Sequence, residues 1–88
     1  MYKLTTDIEK LIRIFYENIE LGNDDIREIF EGVSMNTIQR LKSDARKVMV
    51  ERNVMPWDKR RVNTQCAYAA WGLDIADLEL RYAKLQNL

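Results

Sequence analysis

Histidine is absent from this chain of 88 residues, and cysteine and proline each occur only once, as Cys66 and Pro56. Because the sequence offers one cysteine and no histidine, it has no zinc-finger ligand set, no Cys/His catalytic pair and no disulfide framework. Cys66 lies in a helical stretch between Gln65 and Ala67, where a small buried residue is expected. No metal ion or other cofactor is predicted.

Long apolar runs and catalytic signatures are missing as well. No segment approaches the roughly 20 uncharged apolar residues of a membrane-spanning helix, and no apolar run follows Lys3 at the N-terminus. The sequence has no glycine-rich phosphate loop and no nucleophile paired with a base, so enzymatic activity is not expected. With 47% hydrophobic residues, the chain predicts one compact domain over residues 1–88 in a soluble cytoplasmic protein without a membrane partner.

The formal net charge of zero conceals an uneven distribution of charge along the chain. Residues 1–33 hold four bases and eight acids, and residues 62–88 hold two bases and three acids. Residues 34–61 hold eight bases and three acids, which is a local charge of +5. Such clustering is typical of a DNA-binding face, although a solvated charged surface has the same composition.

The N-terminal residues predict an amphipathic helix. Thr6, followed three residues later by Glu9, has the pattern of a capping box and predicts that a helix starts there. Apolar residues then recur at helical spacing up to Gly22, where the helix is expected to end. They are Ile8, Leu11, Ile12, Phe15 and Ile19.

Residues 24–52 predict two helices joined by a tight turn. The acidic residues after Gly22 favour a short helix over about residues 24–31. Gly32 suits the left-handed backbone that ends a helix and Ser34 can cap the next one, so the chain is expected to reverse over about three residues. Apolar residues of the second helix recur at intervals of three and four and predict one buried stripe. They are Ile38, Leu41, Ala45, Val48 and Met49.

The opposite side of this second helix is polar and basic. Asparagine and glutamine side chains pair with adenine and arginine with guanine, whereas lysine and serine suit phosphates. This pattern is typical of a helix that enters the DNA major groove, although a solvated helix face has the same chemistry. The side chains on this face are Asn36, Gln39, Arg40, Ser43 and Lys47, with Arg46 at its edge and Ser34 at the helix start.

Residues 53–63 contain the only proline and show no helical period, which predicts a loop. Three consecutive bases, Lys59, Arg60 and Arg61, are expected either to hold the phosphate backbone beside the groove or to form an ordinary solvated loop. The sequence favours neither interpretation. Trp57 is predicted to anchor this loop on the core.

Residues 63–88 predict a C-terminal pair of helices that repeats the order of the first turn. The order of residues is a glycine, an apolar residue and a capping residue. It occurs first at Gly32 to Ser34 and again at Gly72 to Asp74. Acidic residues near the start of the last helix argue against a second DNA-reading helix. Its apolar seam suits packing on the domain or on a second copy of the chain. The seam consists of Ile75, Leu78, Tyr82 and Leu85.

The stretch Gly32, Val33, Ser34 and Ile38 with its helical flanks resembles the helix-turn-helix of small phage and mobile-element DNA-binding proteins. These include excisionases, phage regulators and the DNA-binding part of terminase small subunits, and sigma-factor promoter-reading domains share the turn. The resemblance covers residues 24–50. It implies that Asn36, Gln39, Arg40 and Ser43 correspond to base-reading positions and Lys47 to a backbone contact.

Together these observations predict an all-α domain of four to five helices, with a helix-turn-helix at about residues 24–52. The expected function is sequence-specific binding of double-stranded DNA, in a regulatory or architectural role in a phage or mobile element. A homodimer or a larger protein complex is a natural partner for one small reading head. The alternative is a helical protein–protein interaction module, such as a phage-encoded adaptor or inhibitor, whose basic face docks on an acidic protein.

Overall fold

A computed structural model describes residues 2–87, which form five helices and two short antiparallel strand pairs. The prediction of a mainly helical domain is confirmed, but the fold is not purely α-helical because it also contains the two strand pairs. Strand β1 pairs with β3, and β2 pairs with β4. In chain order the elements are β1 Lys3–Leu4, α1 Ile8–Glu17, β2 Glu20–Leu21, α2 Asn23–Ile29, β3 Phe30–Glu31, α3 Met35–Glu51, β4 Val62–Asn63, α4 Thr64–Ala70 and α5 Ile75–Gln86.

Helix α1 differs from its prediction at both ends. Its N-cap is Asp7 rather than Thr6, because the Asp7 carboxylate accepts a hydrogen bond from the Lys10 amide at 3.1 Å. The helix ends at Glu17, and the Asn18 side chain donates to the Ile14 carbonyl at 2.9 Å. The backbone is extended from Asn18 into β2, which leaves Ile19 exposed instead of on the buried stripe.

The connection between α2 and α3 is longer than the three residues expected. The chain leaves α2 at Ile29, because Phe30 and Glu31 pair with β1 instead of continuing the helix. Five residues, 30–34, therefore join the two helices, whereas a helix-turn-helix usually has three or four. The roles predicted for the turn residues are confirmed: Gly32 has a left-handed φ of 79°, and the Ser34 hydroxyl accepts from the Thr37 amide at 3.3 Å.

The C-terminal helices follow their predicted order. Gly72 has φ 75°, and the Asp74 carboxylate caps α5 by accepting from the Ala76 amide at 3.0 Å. Helix α4 packs against α3, and α5 packs against α1. Within the seam of α5, Leu78 is buried but Leu85 is exposed, so the seam fits the domain only over its first turns.

One apolar core joins all five helices. The stripe predicted for α3 is confirmed, with Val48 partly buried at its margin. Cys66 is buried as expected. Within residues 2–87, no helix has the length and apolar character needed to span a bilayer. The buried hydrophobic residues are Leu11, Ile14, Leu21, Ile26, Ile29, Phe30, Ile38, Leu41, Ala45, Met49, Val62, Cys66, Ala67, Tyr68 and Leu78.

Candidate nucleic-acid interface

Helix α3 is the longest helix of the described chain and carries the candidate site. Its 17 residues span about 25 Å at 1.5 Å per residue. The Ser34 hydroxyl starts the helix by accepting from the Thr37 amide, and it also contacts the Thr37 hydroxyl at 3.1 Å. Ser34 is therefore at the helix start, as predicted, and its hydroxyl is engaged in capping.

All five side chains predicted for the polar face of α3 are exposed to solvent. We call this set the reading face: Asn36, Gln39, Arg40, Ser43 and Lys47. From Asn36 to Lys47 it extends about 16 Å along the helix axis. Arg40 and Lys47 form no salt bridge with any residue in the described range 2–87. The face thus presents two unneutralised cations among hydrogen-bonding side chains.

Lys42 is a base that the charge count included but that is not on the surface. Only 4% of the residue is exposed, and its ammonium donates to the Arg60 carbonyl at 2.7 Å. The helical period places Lys42 on the same side of α3 as the buried Ile38 and Met49. This position predicts burial of Lys42, which a count of charges along the chain does not take into account. Lys42 therefore fastens the following loop to α3 and leaves the reading face to other cations.

Arg46 lies at the edge of the reading face, as predicted, and is half buried. Its guanidinium donates to the Lys59 carbonyl at 3.2 Å. Since Lys42 and Arg46 are one turn apart, they hold two consecutive carbonyls of the loop along one side of α3. The bases Lys59, Arg60 and Arg61 are exposed, and the side chains of Arg60 and Arg61 line a cleft that also contains Asp24 and Asp25 at the start of α2. The structure thus attaches the backbone of the basic loop to the side of α3 at Lys42 and Arg46.

Two carboxylates fix the remainder of this loop, residues 52–61. The Glu20 carboxylate accepts from the Trp57 amide at 2.7 Å, and the Asp58 carboxylate accepts from the Arg60 amide at 2.9 Å. The Arg60 amide, and to a smaller extent the neighbouring arginine charges, lower the pKa of Asp58. The prediction for the Trp57 side chain is wrong. Its backbone is anchored, but the indole is 79% exposed.

Burial lowers the pKa of Lys42 below its ordinary 10.5. The positive charges of Arg46 and Arg61 lower this pKa further, whereas the negative charge of Asp58 raises it. Between the lowered value and 10.5, the unfolded chain binds more protons than the folded chain, so the free energy of unfolding increases with pH. The Lys42→Met variant is expected to lack this increase. Urea unfolding of both proteins from about pH 8 to 10.5 measures it, and equal slopes would contradict the assignment.

The same variant is expected to loosen the loop locally. The Arg61 amide, which donates to the Asp58 carbonyl at 3.0 Å, should exchange with solvent about 5- to 10-fold faster once the Lys42 ammonium no longer holds the Arg60 carbonyl. The Val54 amide donates to the Met49 carbonyl at 2.8 Å and is an internal control that should be unchanged. Unchanged exchange at Arg61 would show that Lys42 does not hold the loop.

Comparisons of this chain with protein-family models, with curated protein sequences and with solved structures find no significant match.

Proposed function

We propose that the protein binds double-stranded DNA without chemistry of its own, with α3 in the major groove. The major groove, about 12 Å wide, admits one α-helix with its side chains. The reading face supplies the side chains that pair with base edges, and the loop cations supply contacts to the flanking phosphates. In this proposal α2 and α3 act as a helix-turn-helix with an extended connection. The role is regulatory or architectural, in a phage or mobile element.

The observation that carries the proposal is that the helix with the exposed cations Arg40 and Lys47 also holds the backbone of the basic loop. Arg40 and Lys47 project from α3, and the carbonyls of Lys59 and Arg60 are bonded to the same helix. Of these exposed bases, Arg60 is the one that forms a salt bridge within residues 2–87, as its guanidinium lies 3.7 Å from the Asp58 carboxylate. A positive surface of this kind attracts the phosphate backbone and positions the helix in the groove.

Association with a second copy or a larger complex is part of the proposal. One helix reads three or four bases, so a second head is the usual source of further specificity. Helix α5 leaves Leu80 exposed on the side opposite its buried Leu78, and Leu85 exposed at the far end of the seam that contains Leu78. Exposed apolar side chains on one helix favour a contact beyond the single domain.

A second candidate function is docking on an acidic protein. It is favoured by a shallow groove of about 340 Å³ between the end of α3 and the loop, with an apolar floor and two arginines. The lining includes Val50, Val54 and Met55 together with Arg46 and Arg61. The two functions differ in how steeply salt weakens them, because DNA binding releases the condensed counterions of the phosphate backbone, whereas salt only screens the few charge pairs of a partly apolar protein interface.

Salt titration of DNA binding tests the proposed function. If three to five of the exposed bases meet phosphates, log K should fall linearly with log salt with a slope of about −3 to −4.5. Fluorescence anisotropy of a labelled mixed-sequence duplex gives this slope. No binding at low salt would overturn the proposal and leave docking on an acidic protein as the leading function.

A further inference from the structure

The loop between α3 and β4 carries two large apolar side chains in solvent. Met55 is 80% exposed and Trp57 is 79% exposed, and Pro56 between them is exposed as well. We call these three residues the apolar tip. Burial of a tryptophan side chain is among the most favourable contributions to a small core. A loop that leaves its tryptophan side chain exposed to solvent is therefore suited to bury that side chain against a binding partner.

The apolar tip is held on a fixed backbone. The Trp57 amide donates to the Glu20 carboxylate at 2.7 Å, so this acid is already engaged at the base of the tip. On the far side, Lys42 and Arg46 hold the carbonyls of Arg60 and Lys59. Because both sides of the tip are anchored, ordering it on a partner costs little conformational entropy.

The apolar tip adjoins the surface proposed to face DNA. Met55 and Pro56 line one shallow groove with Val50, which is 77% exposed and lies three residues beyond Lys47 on α3. Arg46 and Arg61 line the same groove, and neither forms a salt bridge with any residue between Tyr2 and Asn87. Two cations thus flank Met55 and Pro56 of the tip, and the groove extends to Val50, about one turn beyond Lys47 of the reading face.

We infer that the apolar tip is a wedge that inserts between base pairs in the minor groove next to the major groove held by α3, and that it bends the DNA. This inference rests on the proposed function. Architectural DNA-binding proteins insert apolar side chains between base steps and flank them with arginine or lysine. The groove beside the tip favours DNA over an acidic peptide here, because Arg46, one of its two cations, is on the helix that meets the duplex.

The indole of Trp57 is its own reporter. The second tryptophan, Trp71, is partly buried, donates to the Leu41 carbonyl at 2.9 Å and packs edge-on against Phe30. The Trp71→Phe background keeps an aromatic ring there and leaves Trp57 as the single source of tryptophan emission. On addition of a mixed-sequence duplex of about 30 base pairs, its emission should be quenched and should become shielded from iodide.

A variant separates wedging from electrostatic attraction. Trp57→Ala should weaken duplex binding about 5- to 30-fold and leave the salt slope unchanged, since no charge is removed. Energy transfer between dyes at the two duplex ends should show a bend with the wild-type protein and a smaller one with the variant. Trp57→Phe keeps an aromatic wedge and should restore most of both effects. An exposed side chain is not needed for folding, so the melting temperature should not change.

Each other outcome has a definite meaning. If wild type and Trp57→Ala bind equally and the indole stays open to iodide, the wedge is overturned and the proposed function stands. If the variant binds more weakly but the wild-type complex is unbent, the tip touches DNA without wedging and the inference is again overturned. Shielding that depends on protein concentration without DNA would assign the tip to a second copy. No DNA binding at low salt would overturn the function and the wedge together.

Discussion

Replacing Arg40 and Lys47 together by alanine is expected to lower the affinity for duplex DNA by about 30- to 1000-fold. Arg40 is suited to a bidentate contact with guanine, the loss of which costs about 1 to 3 kcal/mol. Lys47 is suited to a phosphate contact, and its loss weakens binding to every sequence and reduces the salt slope by about 1. Fluorescence anisotropy titrations of the variant at two salt concentrations measure both effects.

The chain offers a control variant that removes the same two residue types. Arg13 on α1 pairs with Glu17 at 3.7 Å, and Lys84 is exposed on α5, outside the candidate interface. The double change Arg13→Ala and Lys84→Ala alters the net charge equally but should reduce affinity less than about 3-fold, through the general field alone. Equal losses in the two double variants would show that net charge, and not the reading face, controls binding.

The single changes divide the reading face further. Arg40→Ala and Gln39→Ala should each relax the preference for particular bases, at a cost of about 1 to 3 kcal/mol on the preferred site. Lys47→Ala should weaken binding to all duplexes alike. Competition between a selected site and random DNA distinguishes these outcomes. If none of the three changes affects binding, α3 is not the helix that meets DNA.

The features predicted correctly from the sequence are those in which several local signals agree. For α3, the left-handed Gly32, the capping Ser34 and a period of three and four residues all indicate one helix, and the structure has that helix with that buried stripe. The second glycine turn, at Gly72 and Asp74, follows from the same residue types. Such signals depend only on residues that are close in sequence, so they can be recognised without knowledge of the three-dimensional structure.

The features that were missed depend on distant partners. Strands of two residues have no period, and they exist here because Leu4 meets Phe30 and Leu21 meets Val62 across the fold. Helix α1 stops at Glu17 because the following residues are needed for such a pair. These pairings also lengthened the connection before α3. No local pattern reports that two segments far apart in sequence will meet.

The candidate site shows the same division between local and long-range signals. The exposure of the reading face followed from the helical period, which needs no knowledge of the fold. The role of Lys42 needed the position of the Arg60 carbonyl, 18 residues further on. The prediction that Trp57 anchors the loop on the core was wrong, because Glu20 holds its backbone amide while the side chain is exposed. Loop conformation, set by such tertiary contacts, was therefore the weakest part of the prediction.

Tyr68→Ala is the change expected to have the largest effect on stability. Tyr68 on α4 is 1% exposed, packs edge-on against Phe15 at 5.0 Å between ring centroids, and donates its hydroxyl to the Leu11 carbonyl at 2.6 Å. Removing a buried aromatic ring costs about 3 to 5 kcal/mol. For a domain of this size the melting temperature should then fall by about 12 to 40 °C.

Tyr68→Phe is the matched control for the ring. It removes only the hydrogen bond, and the Leu11 carbonyl still accepts within α1, so the cost should be about 1 kcal/mol. Burial, with a smaller contribution from the Asp25 carboxylate, raises the pKa of the Tyr68 phenol above its ordinary 10.0. Above pH 10.0 the unfolded chain therefore releases this proton before the folded chain does, so the free energy of unfolding of the wild type should fall as pH rises. The free energy of unfolding of the phenylalanine variant should fall less.

The Tyr68 ring connects the packing of the core to the candidate site. It joins α4 to α1, and α4 packs against the buried side of α3, so its loss removes support from the helix that carries the reading face. A total stability of about 5 to 15 kcal/mol leaves little after such a loss. Thermal unfolding followed by circular dichroism should show the large decrease for Tyr68→Ala and no decrease for the Arg40 and Lys47 double change. If Tyr68→Ala has the same melting temperature as Tyr68→Phe, the ring does not hold α4 on α1. If the Arg40 and Lys47 double variant also has a lowered melting temperature, its loss of DNA binding results from instability and not from the missing side chains of the reading face.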